Sequence, residues 1–278
     1  AEKSGLPLFC GSYPITPATS ILEELAIHKY LNVKTMQTED EIAGICCAIG
    51  AAFAGNLAVT TTSGPGLSLK SEALGLAVMT ELPLVVIDVQ RAGPCTGMPT
   101  KTEQADLNEA LYGRNGESPM VVIASHSPAH CFDTAFMAAR IALERMVPVL
   151  MLSEGFLGNG SEPWRIPSMS DYPEIHPNYV PSGCEAYKPF ERDAGTLSRK
   201  WAVPGMPGFE HRVGGLEKNH NGVLSNAPEN HELMVRERAA KVAAVVSMIP
   251  DLKVEGEQSG DILIVGWGGT YGHILSAF

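Results

Sequence analysis

Short aliphatic runs alternate with longer amphipathic stretches over residues 1–155. Helices are predicted between the runs over 68–80 and 128–146, the second with Pro128 in its first turn. Strands that alternate with helices predict an α/β layer built on a parallel sheet. Because such strands are covered on both faces, they consist of near-continuous Val, Ile and Leu, and four runs qualify: 57–62, 82–89, 120–124 and 147–152.

Two Ser/Thr-x-x-Glu sequences are typical of capping boxes, in which a hydroxyl and an acid close the first turn of a helix. One begins at Ser20 and predicts a helix over 20–31; the other begins at Thr38 and predicts a helix over 38–54. Glu41 therefore has two candidate roles. It returns a hydrogen bond to the cap, or it is a functional acid at the start of an apolar helix.

The last 123 residues are organised differently. Residues 156–232 hold nine of the 20 prolines and few aliphatic runs, so we expect an excursion that packs on the domain surface or on a partner. A charged helix is predicted over 231–248, a strand over 261–266 and a further helix after it. The chain is then expected to end inside a second α/β unit, which divides it into 1–155, 156–232 and 233–278.

The charge balance argues against a polyanionic partner. With 20 Lys and Arg against 31 Asp and Glu, the net charge is −11, so neither nucleic acid nor an anionic membrane is expected as the main partner. Residues 42–69 carry no charge, but helix-breaking residues at 60–66 leave too short an apolar stretch to cross a bilayer. Six cysteines without a C-x-x-C pair favour a reducing cytoplasm, and an iron–sulfur cluster would need ligands from another chain.

Two glycine-rich sequences fall short of phosphate-binding motifs. The sequence that starts at Gly64 lacks the second glycine of a P-loop because Leu69 occupies that position. The pair Gly266 and Gly268 lacks the third glycine of a dinucleotide fingerprint. Neither nucleotide chemistry is therefore expected.

Two other segments carry candidate ligand-binding groups. Pro14 and Pro17 fix the backbone around Thr16 just before a helix, where a hydroxyl and free N–H groups suit a carboxylate or phosphate; a plain rigid turn is the alternative. Arg91 follows the run 82–89, and ligands of open α/β sheets bind at the carboxyl ends of strands. Its fork suits a carboxylate; a surface ion pair is the alternative.

Four segments together resemble one enzyme family. They are YPITP at 13–17, QTEDEIA at 37–43, TTTSGPGLSLKSE at 60–72 and QRAGPCTGMPTKTEQADL at 90–107. In order and spacing they are similar to the α subunit of 2-oxoacid:ferredoxin oxidoreductases, most closely to the 2-oxoglutarate (KorA-like) branch. The resemblance covers nearly the whole chain.

The resemblance implies a parallel-sheet, pyrimidine-type thiamine diphosphate-binding domain over 1–155, and within 233–278 the start of a second α/β domain similar to the transketolase C-terminal domain. It implies oxidative decarboxylation of 2-oxoglutarate with CoA to succinyl-CoA and CO2, with electrons passed to ferredoxin. Thiamine diphosphate is expected to be shared with a β subunit that carries Mg²⁺ and a [4Fe–4S] cluster. A γ-type domain or subunit is expected to complete the assembly.

The resemblance also implies roles for five residues. Glu41 matches the catalytic acid that contacts the aminopyrimidine ring, and the carbonyl of Pro14 is expected to face the same ring. Thr16, Arg91 and Thr100 match groups that hold the substrate carboxylate or carbonyl. No metal ligand is expected in this chain.

Other members of the superfamily are the alternatives for function. A pyruvate-, branched-chain 2-oxoacid- or indolepyruvate-type enzyme would carry the same motifs, and a non-catalytic assembly subunit would retain the fold. All five matching positions are intact, which argues against a decayed site. The sequence leaves open the 2-oxoacid, the electron acceptor, the stoichiometry and whether the chain is part of a fused γ–α polypeptide.

Overall fold

The structure is a computed structural model that describes residues 1–277. Six parallel strands form one sheet: β1 (Leu8–Ser12), β2 (Val33–Gln37), β3 (Leu57–Thr62), β4 (Leu84–Gln90), β5 (Val121–Ala124) and β6 (Pro148–Glu154). In space they lie in the order β2-β1-β3-β4-β6-β5. The predicted α/β architecture with a parallel sheet is therefore confirmed.

The α-helices of the described residues are α1 (Thr19–Ile27), α2 (Glu41–Phe53), α3 (Gly64–Leu69), α4 (Ser71–Thr80), α5 (Leu107–Tyr112), α6 (His130–Arg145), α7 (Gly155–Asn159), α8 (Pro228–Ala244) and α9 (Thr270–Ala277). The same part of the chain has 3-10 turns at Glu2–Ser4, Lys29–Leu31, Met169–Asp171 and Val245–Met248. Within residues 1–277, no helix has both the length and the apolar character that a membrane crossing requires.

Helices cover both faces of the sheet, as buried parallel strands require. On one face, Ile45 of α2 and Leu74 of α4 pack in a cluster with Val86 of β4. On the other face, Ile141 of α6 packs in a cluster with Val149 of β6. The central strands are buried on both sides because of this double layer.

The strand order contains a switch point. The chain places β2 on one side of β1 and then places β3 on the other, so the connections diverge between β1 and β3. In open α/β sheets a crevice forms at the carboxyl ends of such strands, and ligands bind there. The residues that follow β1 and β3 are therefore candidates for a ligand-binding site.

The first predicted capping box is wrong. The helix α1 begins at Thr19 with Ala18 at the cap position, so Ser20 lies inside the first turn. The hydroxyl of Thr19 instead accepts a hydrogen bond from the backbone N–H of Ile15 at 2.8 Å. The helix ends at Ile27 rather than near residue 31, and a 3-10 turn follows it.

The second predicted capping box is wrong as well, and the error concerns Glu41. Asp40 is the cap of α2, because its carboxylate accepts from the backbone N–H of Ala43 at 2.8 Å. The hydroxyl of Thr38 donates to the backbone carbonyls of Ser12, at 3.2 Å, and of Asp40, at 3.1 Å. Glu41 is thus the first residue of the helix, with its side chain free of the capping role.

Four of the strands described, β3 to β6, match the predicted runs, whereas β1 and β2 were not predicted. The edge strand β2 was missed because only Val33 among its five residues is buried. The strand predicted at 261–266 is wrong: Ile262 and Val265 are 84% and 85% exposed, and within residues 1–277 no strand pairs with them. The helix predicted after it is α9. Phe278, the last residue of the predicted second domain, lies outside the described residues.

The proline-rich residues between α7 and α8 lie against the α/β layer. They have little regular structure, yet Trp201 is fully buried and Ile175 is 3% exposed. Both pack with Leu143 and Met146 at the end of α6. The division of the chain into three domains stays a prediction.

A buried carboxylate joins this segment and α8 to the sheet domain. Glu81, at the end of α4, receives both terminal nitrogens of Arg192 at 2.6 Å and the ammonium of Lys241. Its backbone carbonyl accepts from Arg199 at 3.1 Å. Burial would raise the pKa of Glu81, but the charges of Lys241 and Arg192 outweigh it and lower the pKa to about 2.

Candidate active site

The candidate active site lies at the switch point of the sheet. Tyr13 directly follows β1, Thr62 is the last residue of β3, Glu41 opens α2 and Gly66 lies in α3. These four residues come from three separate segments of the sequence. The parallel sheet brings them together because the carboxyl ends of β1 and β3 share one edge.

Tyr13 forms the floor of the site. Its ring is 4% exposed, and its hydroxyl and that of Thr62 are hydrogen-bonded at 2.9 Å. Beside them, the hydroxyls of Ser12 and Thr61 are bonded at 2.6 Å. Burial raises the pKa of Tyr13 far above its ordinary value, and the nearby charge of Glu41 raises it further. The phenol therefore stays protonated and can donate a hydrogen bond.

Gly66 is required by close packing. A Cβ atom at this position would lie 2.0 Å from the hydroxyl of Tyr13, 2.3 Å from that of Thr62 and 3.0 Å from Cγ of Glu41. No side chain fits there, because real contacts of a Cβ atom do not fall below about 3 Å. The Gly-Pro-Gly sequence thus brings the backbone against the side chains of the site, and it does not form a P-loop.

Glu41 is half-buried at the amino end of α2, a place where a negative charge is favourable. The ammonium of Lys70 donates to the backbone carbonyl of Glu41 at 2.6 Å. The first turn of α2 is therefore fixed from two directions, by the Asp40 cap and by Lys70. The carboxyl of Glu41 can accept or hold a proton from a group bound in the crevice.

Arg91 lies at the carboxyl end of β4 and is 6% exposed. Its two terminal nitrogens donate to the backbone carbonyls of Thr16 at 2.7 Å and Thr96 at 2.9 Å. Its Nε is buried and has no acceptor within residues 1–277. The surface ion pair considered for Arg91 is therefore wrong. Instead, the guanidinium holds the loop after β1 against the loop after β4.

The other predicted site residues lie on these two loops. Pro14 and Thr16 are exposed on the loop after β1, and Thr100 is exposed on the loop after β4. The second loop is closed on itself, since the N–H of Ala92 donates to the carbonyl of Lys101 at 3.0 Å. Thr16 is brought to Arg91 directly through its carbonyl, and Thr100 lies beside the backbone bond that closes the loop.

A pair of carboxyl groups lies below the second loop. Asp88 is fully buried in β4, and Asp106 ends the loop, with its N–H bonded to Oε1 of Gln90 at 3.0 Å. Burial, together with the neighbouring carboxyl of Asp106, raises the pKa of Asp88 well above its ordinary value. Burial also raises the pKa of Asp106 to about 6. Both causes favour the protonated form of Asp88 in the folded protein.

Sequence reasoning missed this pair and gave Lys70 no role. The signal for Asp88 was an acid inside an otherwise aliphatic strand, Leu84–Gln90, because such an acid must be neutral or paired. The signal for Lys70 was a lone cation at the end of a 28-residue stretch without charge. Neither signal identifies the partner, which only the fold supplies.

Comparison with known proteins gives a consistent family. Residues 1–227 match the family described as pyruvate flavodoxin/ferredoxin oxidoreductase, thiamine diphosphate-binding. The chain is 59% identical over 279 residues to the 2-oxoglutarate oxidoreductase subunit KorA of Mycobacterium tuberculosis H37Rv, covering 99% of this chain and 42% of that protein. It is 33% identical to the 2-oxoglutarate synthase subunit KorA of Methanothermobacter thermautotrophicus, covering 73% of that protein.

A solved structure has the same fold. It is the 2-oxoglutarate:ferredoxin oxidoreductase of Magnetococcus marinus, with 2-oxoglutarate, coenzyme A and succinyl-CoA bound to that protein. It matches 99% of this chain with a TM-score of 0.92 and 38% identity, and this chain covers 48% of it. The chain thus spans less than half of this structure and of the mycobacterial relative. From residues 1–227 and these relatives, the chain belongs to the thiamine diphosphate-binding family of pyruvate flavodoxin/ferredoxin oxidoreductases.

Proposed function

We propose that this chain is the α-subunit part of a thiamine diphosphate-dependent 2-oxoglutarate:ferredoxin oxidoreductase. The reaction is the oxidative decarboxylation of 2-oxoglutarate with CoA to succinyl-CoA and CO2, with electrons delivered to ferredoxin. The proposal is supported by the names of the relatives and of the solved structure. The observation that carries it is the convergence of Glu41, Tyr13 and Thr62 at Gly66, with Arg91 bonded to the loop that follows Tyr13 through the carbonyl of Thr16.

The residues at the switch point fit the aminopyrimidine end of thiamine diphosphate. Because no side chain fits at Gly66, the backbone of α3 packs directly against Tyr13, Thr62 and Glu41. A flat heteroaromatic ring fits against such a backbone surface, with the Glu41 carboxyl at its edge. When bound, thiamine diphosphate supplies a carbon nucleophile and accepts the electrons released on decarboxylation.

Glu41 is proposed as the catalytic acid. Its carboxyl would hold a proton on a ring nitrogen of the cofactor, and Tyr13 would support the carboxyl from below. The carbonyl of Pro14, on the exposed loop after β1, would face the same ring. This division of work requires Glu41 to be free of the helix cap, and Asp40 provides that freedom by capping α2.

Arg91 is proposed to bind the carboxylate of the 2-oxoacid. A guanidinium carries five N–H groups, and two of them are used on the carbonyls of Thr16 and Thr96. Three remain, including the buried Nε that has no acceptor within residues 1–277. The hydroxyls of Thr16 and Thr100, exposed on the flanking loops, would complete the substrate contacts.

The remaining parts of the assembly are proposed on the family resemblance. A β subunit would supply the diphosphate site, Mg²⁺ and a [4Fe–4S] cluster, and a γ-type domain or subunit and ferredoxin would be further partners. CoA would be the co-substrate, and the location would be cytoplasmic. In this arrangement the crevice of the present chain is one half of a site that the partner closes.

The test is an assay of the complete enzyme over a panel of 2-oxoacids. With CoA and a dye or ferredoxin as acceptor, we expect the highest kcat/KM for 2-oxoglutarate. A higher kcat/KM for pyruvate, a branched-chain 2-oxoacid or indolepyruvate would assign the chain to that type instead. Wild-type turnover with Glu41→Ala would indicate a non-catalytic assembly subunit.

A further inference from the structure

Lys70 is a buried cation without a carboxylate partner. It is fully buried between α3 and α4, and its ammonium donates to the carbonyl of Glu41 at 2.6 Å. The same nitrogen lies 4.6 Å from the centre of the Tyr13 ring. Within residues 1–277, no carboxylate oxygen of an Asp or Glu lies within 4.0 Å of it. Its neighbours are therefore the two residues that define the cofactor crevice.

A second buried lysine offers a comparison. Lys241 is 1% exposed and pairs directly with the carboxylate of Glu81, far from the crevice. Burying a charge is costly unless it is paired or hydrogen-bonded, and Lys241 meets this requirement with an ion pair. Lys70 meets it with a carbonyl, an aromatic face and the longer-range charges of Glu41 and Asp40. Unlike the contact of Lys241, the short contacts of Lys70 are with the start of α2 and with the ring of Tyr13.

We propose that Lys70 is a positioning residue that holds Glu41 and Tyr13 in the orientation the aminopyrimidine ring requires. Through the Glu41 carbonyl it fixes the first turn of α2, and through the ring face of Tyr13 it fixes the floor of the crevice. This inference rests on the proposed function, because it takes Glu41 as the acid that meets the cofactor. It assigns Lys70 no contact with the cofactor itself.

The proposal predicts a pH dependence of cofactor binding. Burial lowers the pKa of Lys70 to about 8, although the charges of Glu41, Asp40 and Cys46 act to raise it. These groups and Tyr13 are the titratable groups that face Lys70. The pKa values of Cys46 and Tyr13 are both raised above their ordinary values of 9.0 and 10.0. As pH rises through about 8, Lys70 loses its charge before either of them ionises, and affinity for thiamine diphosphate should fall.

The test measures the dissociation constant of thiamine diphosphate in the complete enzyme from pH 6.5 to 9.5 (a range set by that pKa of about 8). For Lys70→Met, which keeps the length of the side chain, we expect affinity at pH 7 to fall about ten-fold or more, as the loss of a charge-assisted hydrogen bond would cause. The step near pH 8 should disappear. Lys70→Arg stays charged throughout, so it should also lack the step while it retains measurable affinity.

Lys241→Met is the matched control. It should lower Tm without changing cofactor affinity or its pH profile, since Lys241 serves the Glu81 pair. A wild-type profile that is flat through pH 8, or one that Lys70→Arg leaves unchanged, would overturn the proposal even if Lys70→Met fails to fold. The outcome is separable from the proposed function. If Glu41→Gln weakens cofactor binding and Lys70→Met does not, only the role of Lys70 is refuted.

Discussion

The guanidinium of Arg91 donates to the backbone carbonyl of Thr16 across 2.7 Å, although 75 residues separate the two in sequence. This bond joins the loop after β1 to the loop after β4. The two loops carry every residue proposed to hold the 2-oxoacid. The geometry of the substrate half of the site therefore depends on one buried side chain.

Arg91→Ala should reduce kcat/KM for 2-oxoglutarate by one to two decades. The loss of a charge-assisted hydrogen bond costs about 1.5–3 kcal/mol, and each 1.36 kcal/mol is about ten-fold in rate. The affinity for thiamine diphosphate should change little, because the groups proposed to face the ring are Glu41 and the carbonyl of Pro14. Steady-state kinetics on the complete enzyme, with cofactor titrations, provide the measurement.

Arg91→Lys keeps the charge but loses the fork. We expect an intermediate kcat/KM, below wild type and above Arg91→Ala. If both variants show wild-type kcat/KM and only a lower Tm, Arg91 holds the loops together and does not bind substrate.

Glu41→Gln should nearly abolish turnover and leave the free energy of unfolding unchanged. The carboxyl of Glu41 is not the cap of α2, so its loss removes proton transfer and no backbone contact. Asp40→Ala is the companion variant, because Asp40 does form the cap. It should lower the free energy of unfolding by about 1 kcal/mol. Urea unfolding and turnover, measured together, distinguish the two acids; full activity in Glu41→Gln would remove it from the mechanism.

Gly66→Ala should impair both stability and cofactor binding. The added methyl group would overlap the hydroxyls of Tyr13 and Thr62, and overpacking of this kind costs about 1–3 kcal/mol. Gly75→Ala in α4 is the control, since open space surrounds its Cβ position. It should stabilise the protein by about 0.5–1 kcal/mol, because glycine is unfavourable inside a helix. Equal effects of the two substitutions on cofactor affinity would contradict the role of Gly66 in the crevice.

Because of Glu81, the free energy of unfolding should decrease at acid pH. Its folded pKa of about 2 lies below the ordinary 4.5, so its contribution is present above the ordinary value and is lost as pH falls from about 4.5 to 2. Glu81→Gln should cost about 3–5 kcal/mol at pH 7, because it leaves Lys241 without a carboxylate partner and Arg192 with Glu237 alone. It should also reduce the decrease of the free energy of unfolding as pH falls from about 4.5 to 2.

Glu232 provides the control for Glu81. It forms an exposed pair with Arg236 at 2.5 Å, and such helix pairs contribute only about 0.3–0.5 kcal/mol. Glu232→Gln should therefore leave the free energy of unfolding, and its decrease at acid pH, almost unchanged. A loss from Glu81→Gln no larger than this would show that Glu81 contributes no more than a surface pair.

Asp88 should have the opposite effect to Glu81: it should make the free energy of unfolding decrease as pH rises. Its folded pKa is raised, so the neutral acid is favoured in the folded state, and stability is lost as pH rises from the ordinary 3.8 through the folded value. Asp88→Asn imitates the neutral acid and should remove this loss. The gain in Tm over wild type should grow as pH rises above the ordinary 3.8. A difference that does not change with pH would indicate that Asp88 is not a titrating group.

The sequence predicts those parts of the fold that depend on local pattern. The buried strands β3, β4 and β6 follow from aliphatic runs, and the family motifs locate Glu41 and Arg91. The capping residue of α2 could not be predicted, because Glu39, Asp40 and Glu41 are adjacent acids. The choice among them is made by Thr38, whose hydroxyl is occupied by the carbonyl of Ser12 in β1.

The contacts of the site residues could not be predicted from the sequence, for a similar reason. The partners of Arg91 are backbone carbonyls on two loops. Because every residue has a backbone carbonyl, residue type does not indicate which ones Arg91 contacts. The strand predicted at 261–266 failed because an aliphatic run becomes a strand only when a neighbour offers hydrogen bonds. The sequence pattern identifies the aliphatic run, but whether the run forms a strand depends on the strands that lie beside it.

The ion pairs of Glu81 connect positions 111 and 160 residues apart. Closing loops of this length costs chain entropy that is recovered only when all three side chains meet, so these contacts should form late in folding. Arg192 also pairs with Glu237 of α8 at 2.5 Å, so detaching either the proline-rich segment or α8 alone breaks ion pairs to both other parts. The sheet, the segment and α8 should consequently unfold as one cooperative unit, with amide protons in all three exchanging through the same global opening.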